Sequence, residues 1–171
     1  MDDLIPRHDA AEIQTAVARM AAEISRDYAG SEPLLVGVLL GSFVFVADLA
    51  RSLSIPAQVD FIRARSYGKT MASSGAVEIT KDIETDVQDR HVIIVEDILD
   101  TGLTIDFVKD RIKAGHPASV AICALLVREG TELPDYHGFV TPKGFVVGYG
   151  IDYAERYRSL PDIWAVAGTE G

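Results

Sequence analysis

Residues 92–104 read VIIVEDILDTGLT. Four β-branched apolar residues run into Glu96 and Asp97. Two more apolar residues follow, then Asp100-Thr101-Gly102-Leu103-Thr104. A short continuous apolar run such as VIIV is the pattern of a strand buried on both faces. After it, Ile105, Val108 and Ile112 recur on one face of a helix that ends near Gly115. The next apolar run, SVAICALLV (119–127), reads as a second two-sided strand. Strand, helix and strand in that order predict a parallel sheet with helices on both faces. Such sheets bind ligands beyond the carboxyl ends of their strands. The three carboxylates and the Gly-containing turn lie at such an end.

The same pattern extends outward. Asp9 and Glu12 have capping-box spacing, and Ile13, Val17, Met20, Ile24 and Tyr28 follow at helical intervals up to Gly30. LLVGVLL (34–40) is another strand-length apolar run, followed by Gly41 and by FVFVADLARSL, a helix that Ser42 is placed to cap. QVDFIRAR (58–65) and AVEIT (76–80) alternate apolar with polar residues, as strands with one wetter face do. Residues 137–149, HGFVTPKGFVVGY, read as short strands around a Pro-Lys-Gly turn. SYGKTMASSG (66–75) is rich in Gly and Ser and has little to bury. It is either a hairpin loop or a mobile lid. There are no repeats, and 171 residues predict a single domain, 1–171.

The bulk numbers narrow the function classes. Apolar residues make up 48% and charged residues 25%, near the globular average. The formal net charge of −10 argues against a nucleic-acid groove, which needs a concentrated basic face. Cys123 is the one cysteine, set in an apolar run, so it reads as an inert buried thiol. The four histidines, at 8, 91, 116 and 137, share no metal spacing. MDDLIPRHDA lacks an apolar signal core, and no apolar run approaches the ~20 residues of a membrane span. The expectation is a soluble cytoplasmic protein with neither membrane nor nucleic acid as partner.

The turn at 100–104 is suited to a phosphate. The first N–H groups of a helix lack internal partners and carry the positive end of its dipole. Gly102 permits close backbone approach, and Thr101 and Thr104 add hydroxyl donors. The pattern is neither a P-loop nor a Rossmann fingerprint. Carboxylates are poor phosphate ligands but good partners for sugar hydroxyls or magnesium. A ribose 5-phosphate meets both halves of the string. Alone, Glu96 and Asp97 would read as solvated strand-end charges and Asp100 as a helix cap.

VIIVEDILDTGLT resembles the phosphoribosyl-pyrophosphate motif of type I phosphoribosyltransferases. Its Glu-Asp form, followed by Asp-Thr-Gly, is similar to that of the hypoxanthine-guanine phosphoribosyltransferases. LLGSFVFVADLAR resembles that family's pyrophosphate loop and the helix after it. VDFIRARSYG resembles the strand leading into its flexible loop, and GFVVGYGIDYAERYRSLPDIW its C-terminal base-binding segment. The resemblance implies an α/β protein with the type I phosphoribosyltransferase fold. A central parallel sheet is flanked by helices, a small hood is built from N- and C-terminal segments (about 137–165), and a lid spans about 66–75.

The resemblance also implies an enzyme of purine salvage. It would transfer phosphoribose from 5-phosphoribosyl 1-pyrophosphate to hypoxanthine or guanine, giving IMP or GMP and pyrophosphate. The alternative is a regulator of the same fold that binds phosphoribosyl pyrophosphate without catalysis. In the enzyme, Asp100 would be the proton partner at purine N7. Glu96 and Asp97 would hold the ribose hydroxyls, and Thr101, Gly102, Leu103 and Thr104 the 5-phosphate. Leu40, Gly41, Ser42 and Arg158 would face pyrophosphate, with a cis peptide at Leu39–Leu40. Arg128, Phe145, Val146 and Asp152 would meet the purine, Phe145 by stacking. From the residues alone, Phe145 and Tyr149 read as core aromatics. Ser66 and Tyr67 would open the lid. Magnesium is the implied cofactor, with Glu96, Asp97 and Asp152 around it. A homodimer or homotetramer is the implied assembly. Three positions depart from the family's pattern. Leu40 stands where Lys or Arg is usual, Arg128 where Lys is usual, and Lys143-Gly144 where an acidic pair or an acidic-basic pair usually precedes the position of Phe145.

Overall fold

The two-sided apolar runs lie side by side. The structure, a computed structural model, describes residues 3–66 and 77–169. In chain order the elements are β1 (Leu4–His8), α1 (Ala10–Asp27), β2 (Leu34–Val38), α2 (Phe43–Ser52), β3 (Gln58–Ser66) and β4 (Val77–Lys81). There follow β5 (His91–Leu99), α3 (Leu103–Lys113), β6 (Ser119–Arg128), β7 (Tyr136–Thr141), β8 (Val146–Val147) and β9 (Ile163–Val166). One sheet has the order β4-β3-β2-β5-β6-β7, all parallel except β4, which runs antiparallel to β3.

This order fixes where a ligand can sit. From β2 the chain crosses through α2 to β3 on one side. From β5 it crosses through α3 to β6 on the other side. β2 and β5 are neighbours, so the strand order reverses between them. The crevice beyond their carboxyl ends is the place where open α/β sheets bind ligands.

Alternate strand residues feed two cores. Leu35, Ile93, Val95, Cys123 and Leu125 pack with α1 and α2 on one face. Leu34, Val36, Val92, Ile94, Ala124 and Val127 pack with α3 on the other. Successive side chains of a strand point to opposite faces. With both faces covered, the runs are apolar throughout. The capping box of α1 is present: Glu12 N–H donates to Asp9 Oδ1 (2.8 Å) and Asp9 N–H to Glu12 Oε2 (2.9 Å). Cys123 is buried, and burial pushes its thiol pKa up.

Several boundaries differ from the sequence reading. β2 stops at Val38, so Leu39 and Leu40 belong to the turn. Ser42 sits at the N-cap position of α2 but caps nothing. Its buried hydroxyl donates instead to the Val38 carbonyl at 2.6 Å, satisfying a strand-end acceptor away from water. β5 does not end at Val95: its pairing with β6 continues to Leu99 opposite Val127. Glu96 and Asp97 therefore lie within the strand.

The hood is a three-stranded antiparallel sheet, β1-β9-β8. β1 was not legible as a strand, being five residues long and interrupted by Pro6. Proline is tolerated on an edge strand, and β1 is an edge here. The segment expected to form the hood, 137–165, divides. β7 joins the main sheet beside β6, and only β8 and β9 pair in the hood. Ala10 N–H donates to an Asp162 carboxylate oxygen (2.8 Å), and the His8 ring stacks on Phe139 at 3.8 Å, fastening hood to body. Among the described residues no helix is long and apolar enough to cross a membrane.

Candidate active site

A crevice of about 290 Å³ opens beyond β2 and β5. One wall is Val38 to Gly41, the other is Glu96 to Gly102 with Thr104 and Ile105, and Ala64 of β3 contributes at the side. The structure thus gathers Leu40, Gly41, Glu96, Asp97, Asp100, Thr101, Gly102 and Thr104 around one space. Leu103 begins α3 and is 69% exposed, outside the lining. Ser42 is buried behind the loop. Gly102, at φ 81°, turns the chain from β5 into α3.

The two strand carboxylates differ. Glu96 is buried, and burial first, then the adjacent Asp97 carboxylate, pushes its pKa well up. Asp97 N–H donates to Glu96 Oε1 (3.2 Å), and Ile98 N–H to Asp97 Oδ1 (2.9 Å). A carboxyl whose folded pKa lies above its unfolded value favours folding at low pH, and that contribution is lost as pH rises through the folded pKa. Holding Glu96 ionised in this buried setting therefore works against stability. Glu96→Gln is expected to raise stability by about 0.5–2 kcal/mol, the usual size of a single stabilising change. Thermal unfolding of the protein alone at pH 7.5 checks this. A lowered melting temperature would contradict this account of Glu96.

The backbones around Gly41 are stacked without spare room. A Cβ on Gly41 would lie 1.8 Å from Asp97 Oδ2, and one on Gly150 would lie 2.4 Å from the Gly41 carbonyl oxygen. The hood loop thus rests on the 39–41 turn, and that turn rests on Asp97. The Leu39–Leu40 peptide is cis. Leu40 is 40% exposed and brings no charge to the crevice.

The residues expected to meet the base lie around the end of β6 and the start of β8. Arg128 is buried, and one guanidinium N–H donates to the Pro142 carbonyl at 2.6 Å. Burial lowers the Arg128 pKa, and the nearby Asp100 carboxylate opposes that shift. Val146 is buried in β8. Phe145 is 56% exposed, its ring 5.4 Å from that of Tyr153. It is not a core aromatic, so a face remains for stacking. Tyr149 is one: it is buried, with its hydroxyl 2.5 Å from Asp48 Oδ2.

Arg158 and Asp152 meet each other and lie outside the crevice lining. They form an ion pair at 2.7 Å, and Arg158 also donates to the Gly150 carbonyl at 2.9 Å. Arg158 therefore touches the 39–41 turn through the backbone of Gly150. Among the described residues no three Asp, Glu, His or Cys side chains could hold a metal between them. Asp152 pairs with Arg158 away from the crevice that Glu96 and Asp97 line. Ser66 ends β3; Tyr67 and the remainder of the expected lid to Gly75 lie outside the described residues. Sequence reasoning missed Ala64, Ile98, Leu99 and Gly150. The first three carry no polar signal. Gly150 could have been noticed in the Gly-Tyr-Gly of 148–150, where two glycines flank an aromatic.

A carboxylate-bearing strand and a phosphate-type turn at the switch point of a parallel sheet define a class. Residues 8–154 match the model of the phosphoribosyl transferase domain. The chain is 45% identical over 162 residues to the hypoxanthine phosphoribosyltransferase of Salmonella typhimurium, covering 91% of both chains. It is 44% identical over 160 residues to the hypoxanthine-guanine phosphoribosyltransferase of Streptococcus pneumoniae, covering 91% of this chain and 88% of the relative. A crystal structure of a Bacillus anthracis hypoxanthine-guanine phosphoribosyltransferase with HEPES in its active site superposes with a TM-score of 0.88 at 41% identity, covering 94% of this chain and 97% of that one. The chain belongs to the phosphoribosyltransferase family, with the hypoxanthine and hypoxanthine-guanine enzymes as its relatives.

Proposed function

We propose that this protein is a purine salvage enzyme that transfers phosphoribose from 5-phosphoribosyl 1-pyrophosphate to hypoxanthine or guanine. The observation that carries the reading is the sharing of one crevice by Glu96, Asp97, the Asp100–Thr104 turn and the Leu39–Gly41 turn. The 5-phosphate is received by the N-terminal N–H groups of α3 and the hydroxyls of Thr101 and Thr104. Glu96 and Asp97 orient the ribose hydroxyls, and the 39–41 backbone meets the pyrophosphate. Breaking the C1–O bond sends its electron pair to pyrophosphate and leaves a cation-like sugar carbon. The purine N9 lone pair then bonds to C1, and Asp100 accepts the proton the base loses at N7.

The donor set suits magnesium. The cation takes oxygen ligands and is usually held by one or two carboxylates plus substrate phosphates, which Glu96 and Asp97 can supply. When bound it would neutralise charge developing on the leaving pyrophosphate. Arg158 supports the pyrophosphate turn through Gly150. The intact carboxylate at 100 supports an enzyme, and no observation favours a binding protein that has lost catalysis.

Arg128 supports the choice of base. Arginine has only donors, so it matches the 6-oxo group but meets the 6-amino group of adenine donor to donor. Such a mismatch costs about 1–3 kcal/mol, so adenine should be used roughly ten- to a hundredfold less efficiently than hypoxanthine. Assays of hypoxanthine, guanine, xanthine and adenine with phosphoribosyl pyrophosphate and magnesium test this reading. Use of adenine as readily as hypoxanthine would overturn it.

A further inference from the structure

The turn after β6 is fastened to the turn that carries Asp100. β6 ends at Arg128, and the chain reverses at once: Thr131 N–H donates to the Arg128 carbonyl at 3.1 Å. Gly130, third in this four-residue turn, has φ 85°, which a type II turn requires and other residues rarely adopt. The reversal brings the Thr131 hydroxyl to 2.7 Å from the Asp100 backbone carbonyl, 31 residues earlier. Asp100 lies where that support matters. The β5–β6 pairing has ended at Leu99, and the first α3 bond, from Asp106 N–H, goes to the Gly102 carbonyl. Residues 100 and 101 are therefore in neither strand nor helix.

We infer that Thr131 is a positioning residue, holding the Asp100 turn at a fixed place relative to Arg128. This rests on the proposed function, in which Asp100 takes the proton and Arg128 reads the 6-oxo group of one purine. Both groups must meet the same ring, so their separation has to be constant. The Thr131 hydroxyl joins the turn of one to the turn of the other. Valine keeps the shape of threonine and removes the hydroxyl; serine keeps the hydroxyl.

The test compares wild type, Thr131→Val and Thr131→Ser. In Thr131→Val, kcat should fall about three- to tenfold, the weight of one net hydrogen bond transmitted to placement of the reacting group. The Michaelis constant for phosphoribosyl pyrophosphate should rise no more than a few-fold, because the loosened turn receives the 5-phosphate while Glu96 and Asp97 stay fixed on β5. Thr131→Ser should restore kcat. Amide exchange at Thr101 and Gly102 should speed up in the valine variant and recover in the serine variant. Wild-type turnover in Thr131→Val, unchanged exchange at 101–102, or a serine variant as slow as the valine one would each overturn the inference. If exchange responds as stated but wild type transfers no phosphoribose, the functional reading fails and the tether stands.

Discussion

Asp100→Asn is expected to slow turnover by about 10²–10⁴-fold, the range that a positioned general acid or base contributes. Asparagine keeps the size of the side chain but cannot take the purine proton. Glu96 and Asp97, proposed to orient the ribose, are untouched on β5. The Michaelis constant for phosphoribosyl pyrophosphate should therefore change little. Rapid-quench measurement of the chemical step separates this loss from slow product release. A chemical step within a few-fold of wild type would remove Asp100 from the role.

Gly41→Ala should be almost as damaging, by a different route. The added methyl would fall 1.8 Å from Asp97 Oδ2 and cannot stay there. The Asp97 carboxylate, held at Oδ1 by the Ile98 N–H at 2.9 Å, or the 39–41 turn must then shift, and either disturbs the crevice. That turn is proposed to meet the pyrophosphate, and it supports Gly150 of the hood loop. Misplacing it by about 1 Å should lower kcat/KM for phosphoribosyl pyrophosphate roughly 10²-fold. The effect should fall more heavily on that substrate than on the purine. Steady-state kinetics with each substrate varied in turn read this directly, and an unchanged kcat/KM would contradict the stacking of Gly41 on Asp97.

The parts of this molecule that were legible in the sequence are those with a strong local signal. VIIV and SVAICALLV announced strands covered on both faces, and Asp9 with Glu12 announced the start of α1. The VIIVEDILDTGLT string marked one wall of the crevice because its carboxylates, glycine and threonines lie close together in the chain. What was not legible depends on long-range placement. β1 gave too few residues and a proline; it is a strand because β9 pairs with it. Ser42 looked like a cap, but the carbonyl of Val38 competes for its hydroxyl. The pairing of Asp152 with Arg158 depends on how the 152–158 loop folds, which sequence spacing does not show. The Thr131 tether joins two turns far apart in the chain, and nothing in either segment marks it.

The central claim is that one site breaks the C1–O bond of phosphoribosyl pyrophosphate and gives the sugar to a 6-oxopurine. The most direct measurement follows the wild-type protein by phosphorus NMR with phosphoribosyl pyrophosphate, magnesium and hypoxanthine. Pyrophosphate and IMP should appear together in equal amounts, and neither should appear when hypoxanthine is left out. Pyrophosphate released at the same rate without a base, or no consumption of phosphoribosyl pyrophosphate, would contradict the account.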